Sequence, residues 1–150
     1  MKTIAISGGF DPVHVGHIQL IKEAKALGDQ LVVIINNDNW LIKKKGFAFM
    51  PQEERKVILE AIKYVDEVVT TSHPENPTDM SVCVELEKIK PDIFANGGDR
   101  NEADAANPKS SLYRDIETCK KLGIEMVFNV GGGKMQSSSE LVKRIRELGK

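Results

Sequence analysis

The sequence predicts an α/β fold in which a parallel sheet of five strands lies between two layers of helices. Five short apolar runs alternate with longer amphipathic stretches along the 150 residues. The runs are continuously apolar and do not alternate with polar residues, which predicts strands that are buried on both faces and therefore parallel. Repetition of the strand–helix unit predicts a doubly wound, three-layer sandwich, built as one domain over residues 1–150.

Each predicted strand ends in a polar or glycine-containing segment. The predicted strands are 2–7, 31–37, 67–71, 92–98 and 125–130. The segments that follow them are 8–17, 36–50, 72–78, 96–109 and 131–137. Because ligands of such sheets bind beyond the carboxyl ends of the strands, functional residues are expected in these segments.

Five helices are predicted from apolar periodicity and from capping signals. Gly28 is placed to end the first helix, Pro51 to start the second, and Thr78 to cap the third. Ser137 and Glu140 have the spacing of a capping box at the start of the fifth. The predicted helices are 15–28, 52–65, 78–90, 110–123 and 137–148.

Composition limits the partners expected of this chain. The formal net charge is −1, which predicts no general attraction to nucleic acid or to a membrane surface. The apolar runs are shorter than the roughly 18–20 residues that span a bilayer, and the N-terminal segment is not expected to be a signal peptide. Cys83 and Cys119 lack metal-ligand spacing, so we expect buried thiols and a reducing, cytoplasmic environment.

The segment GGFDPVHVGH, residues 8–17, carries the main functional signal. Gly8 and Gly9 allow a sharp turn and a close approach of a ligand to the backbone. His14 and His17 are three positions apart, so they share one face if a helix begins beside them. A helix N-terminus favours anions, and two imidazole donors at such a position suit phosphate oxygens.

Other interpretations of the histidine pair stay open at this point. The two rings could belong to a zinc site, although no third ligand stands out, or they could be structural caps of the helix. The glycine pattern of a dinucleotide-binding fold and that of a P-loop are both absent. Gly16, between the histidines, leaves room for a bulky ligand over the first helical turn.

GGFDPVHVGH resembles the H-x-G-H signature of the nucleotidylyltransferase superfamily. The likeness continues through AKALGDQLVV to ERKVILEAIKYVDEVV at residues 54–69, which resembles the cytidylyltransferases acting on glycerol 3-phosphate. KPDIFANGGDR at residues 90–100 is similar to the adenylyltransferases that activate heptose 1-phosphate. The resemblance implies a Rossmann-like fold and an enzyme that transfers a nucleotidyl group to a phosphorylated acceptor with release of pyrophosphate.

The resemblance also implies roles for residues of the first half. It makes His14, His17 and Lys44 catalytic, with Arg55 and Lys63 binding the acceptor or its phosphate. Its motif places Gly8, Gly9, Phe10, Asp11 and Gly16 at the nucleotide. Lys44 is expected in a long loop, KKKGFAFMPQ at residues 43–52. The family carries a second lysine where this chain has Gly46, and either Lys43 or Lys45 could replace it.

In the second half, the resemblance implies nucleotide contacts near the last two strands. Gly97 and Asp99 are expected at the base and ribose, and Arg100 at the acceptor or the phosphates. The hydroxyls of Ser137, Ser138 and Ser139 are expected to bind the β- and γ-phosphates at a helix start. Many cytidylyltransferases have an arginine just upstream, where this chain offers only Lys134.

The remaining expectations concern substrates and partners. We expect Mg²⁺ to arrive with the triphosphate, with no dedicated carboxylate cage and Asp11 as a candidate contributor. CTP is favoured as the donor, with ATP as the alternative on a heptose-type sugar phosphate or in cofactor synthesis. A catalytically silent nucleotide-binding protein is a second class of explanation. The acceptor is expected to be a polyol, sugar or amino-alcohol phosphate, and the resemblance implies a homodimer.

Overall fold

The structure is a computed structural model that describes residues 1–97, 110–132 and 138–149. The strands described are β1 (Thr3–Gly8), β2 (Gln30–Ile35), β3 (Glu67–Thr70), β4 (Ile93–Ala95) and β5 (Glu125–Val127). The helices described are α1 (Val15–Lys25), α2 (Asp38–Lys45), α3 (Gln52–Glu60), α4 (Cys83–Ile89), α5 (Ser111–Leu122) and α6 (Ser138–Leu148). All the strand pairs are parallel, which confirms the predicted sheet.

The strand order is β3-β2-β1-β4-β5. The chain therefore builds outward from β1 on one side, through β2 and β3, and then crosses over to place β4 and β5 on the other side. The point at which the order reverses lies between β1 and β4, and a crevice opens there beyond the carboxyl ends of the strands. This geometry makes the segments after β1 and β4 the natural walls of a ligand site.

Helices cover both faces of the sheet, as the uninterrupted apolar strands predicted. On one face, Ile21 of α1 and Leu59 of α3 pack with Ile4, Ile6 and the odd-numbered residues of β2. On the other face, side chains of α4 and α5 pack with a second set from the same strands. That second cluster contains Ala5, Ile34, Val82, Leu86, Phe94, Cys119 and Ile124.

Several elements differ in length from their predictions. The predicted strand 125–130 ends at Val127, and the predicted helix 52–65 ends at Glu60. The helix predicted from Thr78 begins at Cys83, because the backbone before it forms a turn around Asp79, whose carboxylate accepts a hydrogen bond from the Ser81 N–H. Part of the segment expected to be a loop after β2 is the helix α2.

The two cysteines are free thiols. Cys119 is buried, and burial raises its pKa to about 12, so this thiol stays protonated. Cys83 is only half-buried, so the expectation of two buried thiols is confirmed for one of them. None of the helices in the described ranges combines the length and the apolar character that a membrane crossing requires.

Candidate active site

The turn after β1 is packed against the protein's own side chains. A Cβ atom on Gly8 would lie 3.1 Å from the Phe10 ring, and one on Gly9 would lie 3.0 Å from Leu41 Cδ2. The glycines are therefore needed for close internal packing. Phe10 adopts a left-handed backbone, with φ of 51°, and its side chain is 2% exposed. The placement of Phe10 at the nucleotide stays a prediction, and its ring is buried in this structure.

His14 and His17 form the N-terminal cap of α1. His14 is the N-cap residue, and its Nδ1 accepts a hydrogen bond from the Gly16 N–H at 3.1 Å. His17 Nδ1 accepts the His14 N–H at 3.1 Å, which completes a reciprocal capping box. A ring nitrogen that accepts cannot carry the proton of a neutral imidazole, so both rings hold it on Nε2. The alternative of a structural cap is thus correct, and it leaves an N–H donor on each ring.

The two imidazoles are stacked, which favours their neutral form. Their ring centroids are 3.8 Å apart with an interplanar angle of 23°, and the Phe10 ring lies 4.7 Å from the His17 ring. Burial, followed by the charge that His14 would carry, lowers the pKa of His17 to about 3. His17 is therefore a neutral hydrogen-bond donor near pH 7. Within the described ranges no three His, Cys, Asp or Glu side chains are grouped to hold a metal ion, so nothing there supports the zinc alternative.

Asp11 anchors the segment between α2 and α3. Its side chain is 1% exposed, and its two carboxylate oxygens accept the Phe49 and Met50 N–H groups, each at 2.6 Å. Lys45 Nζ lies 3.3 Å from the same carboxylate and also donates to the Asp11 carbonyl at 2.9 Å. The contribution of Asp11 to a nucleotide or to Mg²⁺ stays a prediction, and in this structure each carboxylate oxygen already accepts one backbone N–H.

The three consecutive lysines end the helix α2, a helix that the sequence interpretation missed. Asn37 caps its start through the Trp40 N–H, and Gly46 ends it with φ of 89°. Lys43 donates to Asn76 Oδ1 at 2.8 Å, and Lys45 is held by Asp11.

Lys44 is exposed and forms no hydrogen bond or ion pair with any residue that the structure describes. It is the lysine of the three that can reach a ligand without breaking an existing contact. Lys43 and Lys45, the two candidates for the missing second lysine, are both engaged in holding neighbouring segments.

Arg55 is fully buried and ties together three segments around the turn after β1. Its Nη1 donates to the carbonyls of Gly9 and Asn36 at 2.7 and 2.6 Å, and its Nε donates to Met50 at 3.0 Å. Its Nη2 lies 2.8 Å from the Asp38 carboxylate. The contact of Arg55 with a phosphate stays a prediction, and in this structure protein oxygens surround the guanidinium. Arg55 positions the turn, α2 and the segment after α2 relative to one another.

Lys63 lies away from the crevice, and His73 contacts neighbouring segments. Lys63 follows α3 and precedes β3, so it lies at the amino edge of the sheet, where its Nζ is 5.0 Å from the Tyr64 ring centroid. Its contact with the acceptor stays a prediction, and this structure does not place Lys63 at the crevice. His73 is half-buried, and its ring nitrogens lie 2.8 Å from Thr71 Oγ1 and 3.0 Å from the Ser81 carbonyl oxygen.

The last helix meets the turn after β1, as the serine motif predicted. Ser138 Oγ donates to the Pro12 carbonyl at 2.9 Å, so the start of α6 lies beside the histidine-bearing turn. Gly97 follows β4 at the same edge, after the buried Asn96. The predicted contacts of Asp99, Arg100, Lys134 and Ser137, and that of the Ser139 side chain, lie outside the described residues.

Aromatic residues near the lysines join neighbouring segments. The Trp40 indole N–H donates to the Met80 carbonyl at 2.9 Å. The Phe47 ring has Lys45 Nζ at 5.1 Å and the Arg146 guanidinium at 4.8 Å from its centroid. Trp40 and Phe47 therefore contribute to packing between segments in this structure.

Several donor groups follow β1 and β2 at the carboxyl edge of the sheet. Two imidazole N–H groups, the free backbone N–H groups at the start of α1 and the exposed Lys44 all favour an anion. No carboxylate points to this face from the turn after β1, because Asp11 is turned toward the segment after α2. The arrangement suits a polyphosphate, for which charge neutralisation and positioning are the main requirements.

Comparison with known proteins identifies the family. A family model described as cytidylyltransferase-like matches residues 5–144. The chain belongs to the cytidylyltransferase-like family. It is therefore a nucleotidyltransferase with a Rossmann-like α/β fold, as the H-x-G-H resemblance implied.

Individual relatives differ in how much of the chain they cover. The FAD synthase of Pyrococcus horikoshii is 38% identical over 146 residues, which are 97% of this chain and 93% of that protein. The glycerol-3-phosphate cytidylyltransferase of Bacillus subtilis is 49% identical over 69 residues, which are 46% of this chain and 54% of that protein. A lipopolysaccharide core biosynthesis protein from Thermoplasma volcanium has a similar crystal structure, with a TM-score of 0.66 at 26% identity over 85% of this chain and 93% of that chain.

Proposed function

We propose that this protein transfers a nucleotidyl group from a nucleoside triphosphate to the phosphate of a small acceptor. A phosphate oxygen of the acceptor attacks the α-phosphorus, the bond from that phosphorus to the bridging oxygen breaks, and pyrophosphate leaves. The observation that carries the proposal is the capping box of His14 and His17, which fixes two neutral imidazoles with their protons on Nε2 at a helix N-terminus.

The residues act by positioning and by electrostatic stabilisation. The two Nε2–H groups donate to phosphate oxygens as negative charge develops during transfer, and they need no proton transfer to do so. Lys44 adds a mobile positive charge, and the start of α6 next to Ser138 is placed to hold the distal phosphates. Gly16 and Gly97 are proposed to face the nucleotide. Mg²⁺ is expected as part of the triphosphate substrate, since the described residues form no cage for it.

The relatives change the preferred donor from CTP to ATP. FAD contains AMP joined to FMN through a pyrophosphate, so an enzyme that makes it transfers an adenylyl group from ATP to FMN. The similarity to an FAD synthase covers 97% of this chain. We therefore propose ATP as donor and FMN as acceptor. CTP with glycerol 3-phosphate is the second candidate, favoured by 49% identity over a shorter region.

The test is a pyrophosphate-release assay with four nucleoside triphosphates, each offered FMN, glycerol 3-phosphate and a heptose-type sugar phosphate. The proposal predicts turnover with ATP and FMN, with one pyrophosphate released for each FAD formed. Turnover with CTP and glycerol 3-phosphate would support the second candidate. Tight nucleotide binding with no turnover on any acceptor would indicate a silent nucleotide-binding protein. A homodimer in the cytoplasm is the accompanying proposal, and sedimentation tests its dimeric part.

A further inference from the structure

We propose that a groove between the segment after β3 and the helix α5 binds the part of the acceptor that does not react, and that Arg114 determines specificity there. The groove is lined by Thr78, Met80, Ser111 and Arg114, is open to solvent, and has a cavity volume of about 50 Å³. This inference rests on the proposed function, because it assigns the acceptor side of the same reaction. Pockets for whole small ligands measure about 300–1,000 Å³, so this groove suits a portion of an acceptor.

The groove lies at the functional edge of the sheet. Thr78 and Met80 come after β3, and Ser111 begins α5, which follows β4. Both walls therefore stand at the carboxyl ends of the strands, on the face covered by α4 and α5. The histidine-bearing start of α1 stands on the other face, so a ligand that spans the crevice can contact both.

One side chain connects the groove to the turn that carries the histidines. The Trp40 indole donates to the carbonyl of Met80 at 2.9 Å. The opposite side of the same indole comes within 3.9 Å of the position that a Cβ on Gly9 would take. The groove is thus separated from the turn after β1 by the width of one indole ring, a distance that a phosphorylated metabolite can bridge.

Arg114 is available to a ligand at low energetic cost. It pairs with Asp79 at 3.0 Å, and both side chains are 49% exposed. Ion pairs of this exposure contribute about 0–1 kcal/mol, so an acceptor group can replace Asp79 at the guanidinium. Arg55 is buried and Lys63 lies at the amino edge of the sheet, so neither of these two basic residues lines the groove.

The lining defines the class of ligand. A planar guanidinium donates to carbonyl or hydroxyl oxygens and stacks on aromatic rings. The thioether of Met80 adds a soft apolar surface that contacts aromatic rings well. The hydroxyls of Thr78 and Ser111 lie along the same groove. The combination fits an acceptor with oxygen-bearing groups on a flat ring, as in FMN, better than it fits a short polyol phosphate.

The experiment measures acceptor binding directly by titrating FMN fluorescence with the purified protein. Loss of a hydrogen bond from a charged donor predicts that Arg114→Ala weakens FMN binding by about 10- to 100-fold. Arg114→Lys restores little of this affinity, because an ammonium lacks the planar fork. Arg144→Ala, an exposed arginine of α6, is the matched control and leaves the affinity unchanged. Asp79→Asn frees Arg114 and is expected to tighten binding by up to about fivefold.

If the ion pair of Arg114 with Asp79 were purely structural, Asp79→Asn and Arg114→Ala would both lower the thermal unfolding temperature. Neither variant would then change the affinity for FMN selectively. ATP affinity and kcat should stay near the wild-type values in Arg114→Ala, while KM for FMN rises. FMN affinity within twofold of wild type in this variant overturns the groove assignment alone. FMN binding without turnover overturns the proposed function alone, and absence of FMN binding by the wild type overturns both.

Discussion

Separating the capping role of the two histidines from their chemical role is a demanding test of the site. Asparagine is among the best N-cap residues, so His14→Asn should still accept the Gly16 N–H. Glutamine is a natural third residue of a capping box, so His17→Gln should still accept the His14 N–H. Both variants keep the helix start while removing an imidazole. The matching alanine variants remove both functions.

The expected magnitudes differ between stability and turnover. Loss of a cap costs about 0.5–2 kcal/mol, so the alanine variants should unfold at lower urea concentration. The asparagine and glutamine variants should lie much closer to wild type. Removing one donor that acts on developing charge costs about 10²- to 10³-fold in kcat, and all four variants should show this loss.

Urea unfolding and pyrophosphate release on the same preparations check the two magnitudes independently. The reasoning is refuted if His14→Asn or His17→Gln turns over at a rate near that of wild type. Such a result would make the histidines caps only and would remove them from the catalytic residues.

Three further predictions follow from the contacts around the site. Lys44→Ala should lower kcat/KM for the triphosphate by about 100-fold. Lys43→Ala removes a contact to a neighbouring segment and should change kcat/KM far less. Steady-state kinetics compare the two variants, and equal losses would contradict the role of Lys44 at the triphosphate. Arg55→Lys should lower the free energy of unfolding by about 3 kcal/mol, because the buried guanidinium loses several of its hydrogen bonds. Urea unfolding measures this loss, and an unchanged urea midpoint would contradict the role of Arg55 in holding the three segments together. The pKa of His17 is about 3 in the folded state and about 6.5 in the unfolded state, so the free energy of unfolding should fall as the pH drops from 6.5 toward 3. His17 contributes a slope of up to about 1.4 kcal/mol per pH unit to this fall, and His17→Gln should remove that contribution. Unfolding curves of the wild type and the variant across this pH range test the prediction.

The sequence was sufficient for the parallel sheet and for the start of the first helix. The apolar runs and the glycine turn are determined by residues that are close together in the sequence, so they can be predicted from it. The structure confirms the parallel sheet and a helix that begins beside His14. The contact of Ser138 with the Pro12 carbonyl also brings the predicted serine helix start next to the turn after β1.

The helix α2 was missed because its apolar pattern is weak. Of its eight residues only Leu41 is buried, so periodicity gave little signal. The capping chemistry did carry a signal: Asn37 stands at the N-cap, Asp38 lies in the first turn, and Gly46 follows three lysines. These capping signals predict a helix that contains Lys44.

The roles of Asp11, Arg55 and Lys63 required the tertiary structure. The sequence of a functional motif is the same whether the side chain of a charged residue faces a ligand or forms hydrogen bonds with the protein backbone. Burial decides between these roles, and it depends on contacts between segments 38 or 46 residues apart in sequence. The location of Lys63 is simpler to derive, since a position after a helix and before a parallel strand already places a residue at the amino edge of the sheet.

The most direct measurement of the central proposal is the stoichiometry of pyrophosphate release by the wild-type protein with ATP and FMN. Equal amounts of pyrophosphate and FAD, with no release when FMN is omitted, are the predicted result. Binding of nucleotide without pyrophosphate release for ATP or CTP, with any phosphorylated acceptor, would contradict the proposal that this site transfers nucleotidyl groups.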